Sequence, residues 1–341
     1  MSGVKTNSIQ AWLLASRPKT LTGALIPVIL ALAWAQHEGV LHNATAAVCC
    51  ALFACGMQIA ANLINDLYDY LKGTDREDRL GPERACAQGW ISPGAMRWGI
   101  GVTVAVSCII GLVALADTWQ EMPWHGVELV ALGVLCVIFA FLYTTRLSYL
   151  GWGDVLVLVF FGLVPVCGTY YLQAFTIDYG CIVLSLIAGV AIDALLVINN
   201  YRDREQDRIS GKRTLIVRWG ERFGNRLYLA IGKVVCILIV CLSPMLAVTN
   251  KLMLAVVIAI YFLLHFQAWK KMTEIREGRA LNQILGLTSR NMFLMAILTA
   301  FGIFKRLILS TMEHLAMCAS NVFIGQYKCI FCNYKIKMAI I

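Results

Sequence analysis

Apolar stretches of roughly 17–25 residues, the length a helix needs to cross a bilayer, recur from one end of this chain to the other and constrain its fold more than any other feature. They fall at about 20–36, 44–64, 98–116, 127–145, 154–172, 180–200, 227–247, 252–269 and 284–304. With 341 residues, 59% of them hydrophobic and 14% charged, the chain has no room for a soluble domain beside them. The spacing therefore predicts an all-α membrane protein, a bundle of about nine transmembrane helices occupying residues 1–305. The segment Met1 to Ser16 is polar to mildly amphipathic and lacks the charged, apolar and small-residue order of a cleaved signal, so the first spanning helix is expected to stay in place. After Phe304 the chain changes character: residues 306–341 carry scattered basic residues and three cysteines without clear periodicity, and form an atypical C-terminal tail.

Charge sets the expected orientation. The segments on one side carry Lys5, Arg17, Lys19, Lys72, Arg76, Arg79, Arg84, Arg97 and Arg146, then eight basic residues from Arg202 to Arg226, then Lys270, Lys271, Arg276 and Arg279. Loops 37–43, 117–126 and 173–179 hold no Lys or Arg, and 248–251 holds only Lys251. Basic residues concentrate on the cytoplasmic side of membrane proteins, so the N-terminus and the two long loops, 67–97 and 201–226, are expected there, with the tail outside. The net charge of +9 then reflects topology and an anionic substrate rather than nucleic acid. Most of the 13 cysteines sit in apolar stretches, where a thiol acts as a small hydrophobe. The Cys329–Cys332 pair has no second pair or His beside it, so no metal or redox role follows.

Each long loop follows an acidic cluster. The first reads Asn65-Asp66-Leu67-Tyr68-Asp69, with Asn62 a turn earlier and Asp75 beyond; the second reads Asn199-Asn200-Tyr201-Arg202-Asp203, then Asp207. Carboxylates are costly at a membrane boundary unless something pairs with them. Spacing of four places Asn65 with Asp69, and Asp203 with Asp207, on one helix face each. Oxygen ligands so gathered suit hard cations such as Mg²⁺. Either cluster alone reads as a solvated acidic loop; two alike, each interleaved with Arg and Lys, point to a site. Paired carboxylates also occur in cation transporters, but near the bilayer midplane. These lie at helix ends beside long basic loops, which favours a phosphate-handling enzyme.

Further motifs surround the clusters. Arg17-Pro18-Lys19-Thr20-Leu21 enters the first helix, and Lys72-Gly73-Thr74-Asp75, Arg79-Leu80-Gly81-Pro82 and Gln88-Gly89 mark the first loop. Gly151-Trp152-Gly153-Asp154, Phe160-Phe161-Gly162, Gly168-Thr169-Tyr170-Tyr171 and Gly211-Lys212-Arg213-Thr214-Leu215 follow. With the two clusters, these motifs over about residues 8–305 resemble the UbiA-superfamily membrane prenyltransferases, most of all the 1,4-dihydroxy-2-naphthoate polyprenyltransferases of menaquinone synthesis. Two departures stand out: Gly73 occupies the superfamily's usual third acidic position, with Asp75 in its stead, and the tail has no counterpart.

The resemblance implies an enzyme of the inner (plasma) membrane whose site faces the cytoplasm. Its substrates would be a polyprenyl diphosphate and dihydroxynaphthoate, its cofactor Mg²⁺, and its product a demethylmenaquinol formed with loss of CO₂ and diphosphate. Prenyl transfer to another aromatic acid such as 4-hydroxybenzoate is the alternative. Asn65, Asp69, Asp75, Asp203 and Asp207 would ligate the metal, with Asp66 and Asn62 as second choices. Asp69, Asp203, Asp207 and Arg146 would carry catalysis; Arg79, Arg84, Lys212 and Arg213 would grip the diphosphate. Arg146 serves equally well as a headgroup anchor. Arg17 and Lys19 would meet the acceptor's carboxylate, with Tyr143 or Tyr201 against its ring, although all four also fit interface anchors. Asp154, at a helix start, reads as structural, and Asp193, inside the sixth helix, as a hydrogen-bonding group between helices.

Overall fold

A computed structural model of the chain describes residues 4–73 and 79–304. Asp75 and the tail 306–341 lie outside the described residues. Twelve helices follow in order: α1 Ile9–Ser16, α2 Leu21–His37, α3 Ala44–Leu71, α4 Pro93–Leu115, α5 Val127–Leu150, α6 Gly153–Ala174 and α7 Tyr179–Arg202. The short α8 Arg204–Ile209 and α9 Leu215–Trp219 come next, then α10 Glu221–Leu242, α11 Val248–Ile275 and α12 Leu281–Phe304. Counting α1 and α2 as one broken span, nine segments of the described chain are long and apolar enough to cross a membrane. The architecture is the all-helical membrane bundle expected.

Local chemistry explains where the helices start. Asn43 caps α3 by accepting from the Ala46 N–H at 2.8 Å. Ser92 caps α4, which then opens on Pro93, a residue suited to a position whose N–H has no helical partner. Asp178 caps α7 through the Cys181 N–H at 2.7 Å. The same carboxylate accepts from the indole N–H of Trp34 at 2.9 Å and the Tyr170 hydroxyl at 2.6 Å, tying three helices together.

α7 is the central element: Leu184, Ile187, Ala188 and Ala191 are fully buried against α2, α6, α10 and α12. α6 lies unusually close to it, because a Cβ on Gly162 would stand 2.5 Å from the Ser185 carbonyl and one on Gly189 2.9 Å from that of Leu158. Small residues are what let helix backbones approach this closely in a membrane. α4 and α5, by contrast, bury little of their surface.

Three features depart from the sequence expectation. The helix expected at 20–36 is α2, but a further helix, α1, precedes it across a break where Arg17 takes a left-handed conformation (φ 51°) ahead of Pro18. α3 continues to Leu71, through its acidic cluster. The second long loop is largely helical, folded into α8 and α9.

Candidate active site

The last turns of α3 set out Asn62, Asn65, Asp66, Asp69 and Lys72 at helical spacing, and their partners separate their roles. The Asn62 amide donates to the Ser16 carbonyl and the Thr20 hydroxyl, both at 2.9 Å, and so fixes the break between α1 and α2. Asp66 accepts the backbone N–H groups of Ala85 and Cys86 at 2.8 and 2.9 Å, pinning the first loop to α3. Both second-choice ligands thus spend these atoms on partners within the protein. Asn65 accepts from the Thr144 hydroxyl at 2.6 Å. Asp69 pairs with Arg84 at 2.7 Å, both side chains nearly buried.

Lys72 donates to the carbonyls of Thr144 and Thr145 at 3.2 and 3.0 Å and lies 4.1 Å above the Tyr149 ring. Those carbonyls belong to a π-turn, Tyr143–Leu147, within α5. π-turns of this kind often re-aim side chains at functional sites, and this one presents Tyr143 and Thr144 to α3. Partial burial lowers the Lys72 pKa, while nearby Asp69 works against the shift.

The second wall comes from the end of α7. Arg202 grips Asp203 with Nε to Oδ1 at 2.7 Å and Nη2 to Oδ2 at 2.6 Å. One turn on, Asp207 faces Lys212 at 3.6 Å, where Gly211 (φ 78°) folds the chain back. Burial pushes the Asp207 carboxyl up to about 6, Lys212 pulling the other way and Asp203 and Asp69 adding to the rise.

These walls enclose a polar cavity of about 470 Å³ lined by Arg17, Asn65, Asp69, Lys72, Arg79, Arg84, Tyr143, Asp154, Asn199, Asn200, Arg202, Asp203, Asp207 and Lys212, among others. Beside it lies an apolar cavity of about 1190 Å³ between α2, α3, α4, α5, α6 and α12, with Lys19 among its lining residues. Arg17, Asn65, Pro82, Tyr143, Leu196 and Asn199 line both. The polar wall offers only oxygen ligands, carboxylate and amide, with no His or Cys, and this suits Mg²⁺. Among the described residues no three His, Cys, Asp or Glu side chains converge tightly enough to enclose an ion. Mg²⁺ does not need them to, since one or two carboxylates plus phosphate oxygens and water commonly complete its shell.

Three residues singled out in the sequence are elsewhere. Tyr201 is fully buried, with its hydroxyl donating to Glu221 at 2.9 Å, and lines neither cavity. Arg146 and Arg213 are exposed and line neither cavity, because the π-turn and the turn after α8 point them outward. Asp193 also lines neither, and its Oδ1 is buried without a hydrogen-bond partner in place of the expected cross-helix bond. The structure adds Lys72, Arg202, Asn199, Asn200 and Asp154. Helical spacing from Asp69 marks Lys72, and adjacency to Asp203 marks Arg202; both read as membrane anchors until their partners are seen.

Comparison with known proteins fits this geometry. Residues 24–297 match the UbiA prenyltransferase family. The chain is 38% identical over 243 residues to the 1,4-dihydroxy-2-naphthoate octaprenyltransferase of Escherichia coli, covering 70% of this chain and 78% of that one. It is 36% identical to the enzyme of the same name from Mycobacterium leprae, covering 66% and 74%. Among solved structures, a UbiA homolog from Archaeoglobus fulgidus bound to GPP and Mg²⁺ superposes with a TM-score of 0.62 at 16% identity, covering 86% of this chain and 99% of that one.

Proposed function

Because this chain belongs to the UbiA prenyltransferase family, we propose that it transfers a polyprenyl group from polyprenyl diphosphate to 1,4-dihydroxy-2-naphthoate, releasing diphosphate and CO₂ and forming a demethylmenaquinol. The names of its bacterial relatives support the acceptor. The observation that carries the reaction is the pair of adjoining cavities: a charged one sized for a diphosphate, sharing lining residues with a larger apolar one suited to a prenyl chain.

Asn65, Asp69, Asp203 and Asp207 would hold Mg²⁺, with Asp75 a proposed ligand outside the described residues. When bound, the ion supplies positive charge to the leaving diphosphate oxygens. Arg79, Arg84, Lys72 and Lys212 bring further positive charge to the same cavity and stabilise the departing anion. The apolar lining keeps water from the allylic cation that remains.

Arg17 and Tyr143 stand where the two cavities meet. Arg17 there orients the acceptor's carboxylate, and the ring carbon bearing it attacks the cation at near-attack distance. The donor's C–O bond has by then broken, its electron pair leaving with the diphosphate, and the new C–C bond forms from the ring's electrons to the cation. The bond to the carboxylate then breaks, and its electron pair restores aromaticity as CO₂ leaves. No ring proton has to be removed, so no general base is required at that carbon.

The site end of the bundle carries the basic loops, which supports a site at the cytoplasmic face of the membrane. Purified protein given carboxyl-labelled dihydroxynaphthoate, polyprenyl diphosphate and Mg²⁺ is expected to release labelled CO₂ and prenylated product in equal amounts. Prenylation of 4-hydroxybenzoate with no turnover of the naphthoate sinks the choice of acceptor.

A further inference from the structure

The three aspartates of the described cavity assigned above to the metal are each already matched to a cation of the same cavity. Asp69 has Arg84, Asp203 has Arg202 and Asp207 has Lys212. Arg202 is the most enclosed of the three cations, its side chain 2% exposed. Two of its nitrogens hold Asp203, and the third donates to the Asn282 side chain on α12 at 2.6 Å. Asn282 in turn donates to the Leu80 carbonyl at 2.8 Å. Gly81 rests so near the guanidinium that a Cβ there would stand 2.9 Å from Nη2. The first loop is therefore seated on Arg202 and Asn282 together.

A guanidinium this deeply buried is costly to leave without an anionic partner. A divalent cation arriving alone and drawing Asp203 away would orphan Arg202 and place two positive centres side by side. A diphosphate arriving with the cation supplies the missing anion, in a geometry that matches the guanidinium fork. We propose that Arg202 couples metal and diphosphate binding. Arg202 holds Asp203, and it passes to a diphosphate oxygen when the metal takes that carboxylate. The two ligands then bind as a cooperative pair, and Asn282 transmits the exchange to the first loop. Arg202 acts here as a positioning residue. The inference rests on the metal and diphosphate site proposed above.

The test uses full-length protein in nanodiscs, with Mn²⁺ followed by its electron paramagnetic resonance signal and inorganic diphosphate as the anion. Wild type is expected to bind Mn²⁺ weakly alone and about tenfold or more tighter with diphosphate, beyond the complex the two form in solution. R202Q frees Asp203, so Mn²⁺ alone should bind about tenfold tighter while the gain from diphosphate disappears. R202K keeps a cation but loses the two-pronged grip, and should shift both values in the same directions by less; it decides the matter if R202Q does not fold. A purely structural Arg202 would weaken Mn²⁺ binding in both conditions, and that result overturns the proposal. Coupling unchanged in the variants overturns it too, while leaving the proposed site standing. Wild type that binds neither ligand overturns both.

Discussion

Asp66 and Asp69 stand three residues apart on α3, yet their partners give them different work. Asp66 spends both oxygens on backbone N–H groups of the first loop, whereas Asp69 faces the polar cavity and a guanidinium. Asp66→Asn replaces one acceptor with a donor against a buried N–H, a mismatch of about 1–3 kcal/mol. Thermal melts in detergent should show a lower Tm, with the Mg²⁺ dependence of the surviving activity unchanged. Asp69→Asn and Asp203→Asn keep an oxygen for their arginine but lose the charge a metal needs. Turnover should fall by at least about 100-fold in each, at near-normal abundance. Near-normal activity in both purified variants would remove them from the metal site. Asp207 adds a pH dependence. Its value, raised to about 6 chiefly by burial, means that a proton and a cation compete for one carboxylate. The Mg²⁺ concentration for half-maximal rate should climb as pH falls through about 6 and level off above it. A requirement unchanged between pH 5 and 8 would contradict this competition. Sequence spacing located all these acids, but it says nothing about which way a side chain leaves the backbone at a break or turn. For that reason spacing alone does not separate Tyr201, Arg146 and Arg213, which line neither cavity, from Arg202, which does.

At the scale of elements, helix interiors were readable and helix irregularities were not. Length and hydropathy suffice to mark a span. The kink before α2 and the π-turn of α5 depend on partners distant in sequence: Asn62 bonding Ser16 and Thr20, and Lys72 holding the carbonyls of Thr144 and Thr145. Both irregularities bring site residues inward, Arg17 in one case and Tyr143 in the other. The rigid reference for them is the close seam of α6 on α7. Gly162→Ala would drive a methyl group into the Ser185 carbonyl and the Gly189 backbone, overpacking that costs about 1–3 kcal/mol. A clear drop in Tm is expected. Gly133→Ala on α5, where a Cβ would meet nothing within 4 Å, is the matched control and should melt like wild type. If Gly162→Ala melts with it, the seam is looser than the geometry implies.

Across the whole molecule, the distribution of charge and the position of the site make one joint claim about orientation. The polar cavity collects the ends of α3 and α7, the break before α2, the start of α6 and the turn after α8, so its charged residues lie at one end of the bundle. That end carries the basic loops, and the opposite connections carry almost no Lys or Arg, the asymmetry expected when the site faces the cytoplasm. A soluble anionic acceptor would then reach it without crossing the bilayer, while the apolar cavity receives its prenyl chain within the membrane. Cys86 marks the first loop in sequence but is buried, so it would resist any label from either side. Gln88, exposed in the same loop, and Glu121, exposed between α4 and α5, are the better reporters. In an otherwise cysteine-free background, a membrane-impermeant maleimide added to intact cells should label Glu121→Cys and spare Gln88→Cys until the cells are opened. Labelling of Gln88→Cys in intact cells would invert the bundle. It would leave the fold and the two cavities as described, but would put the charged site on the side where the positive-inside asymmetry forbids it.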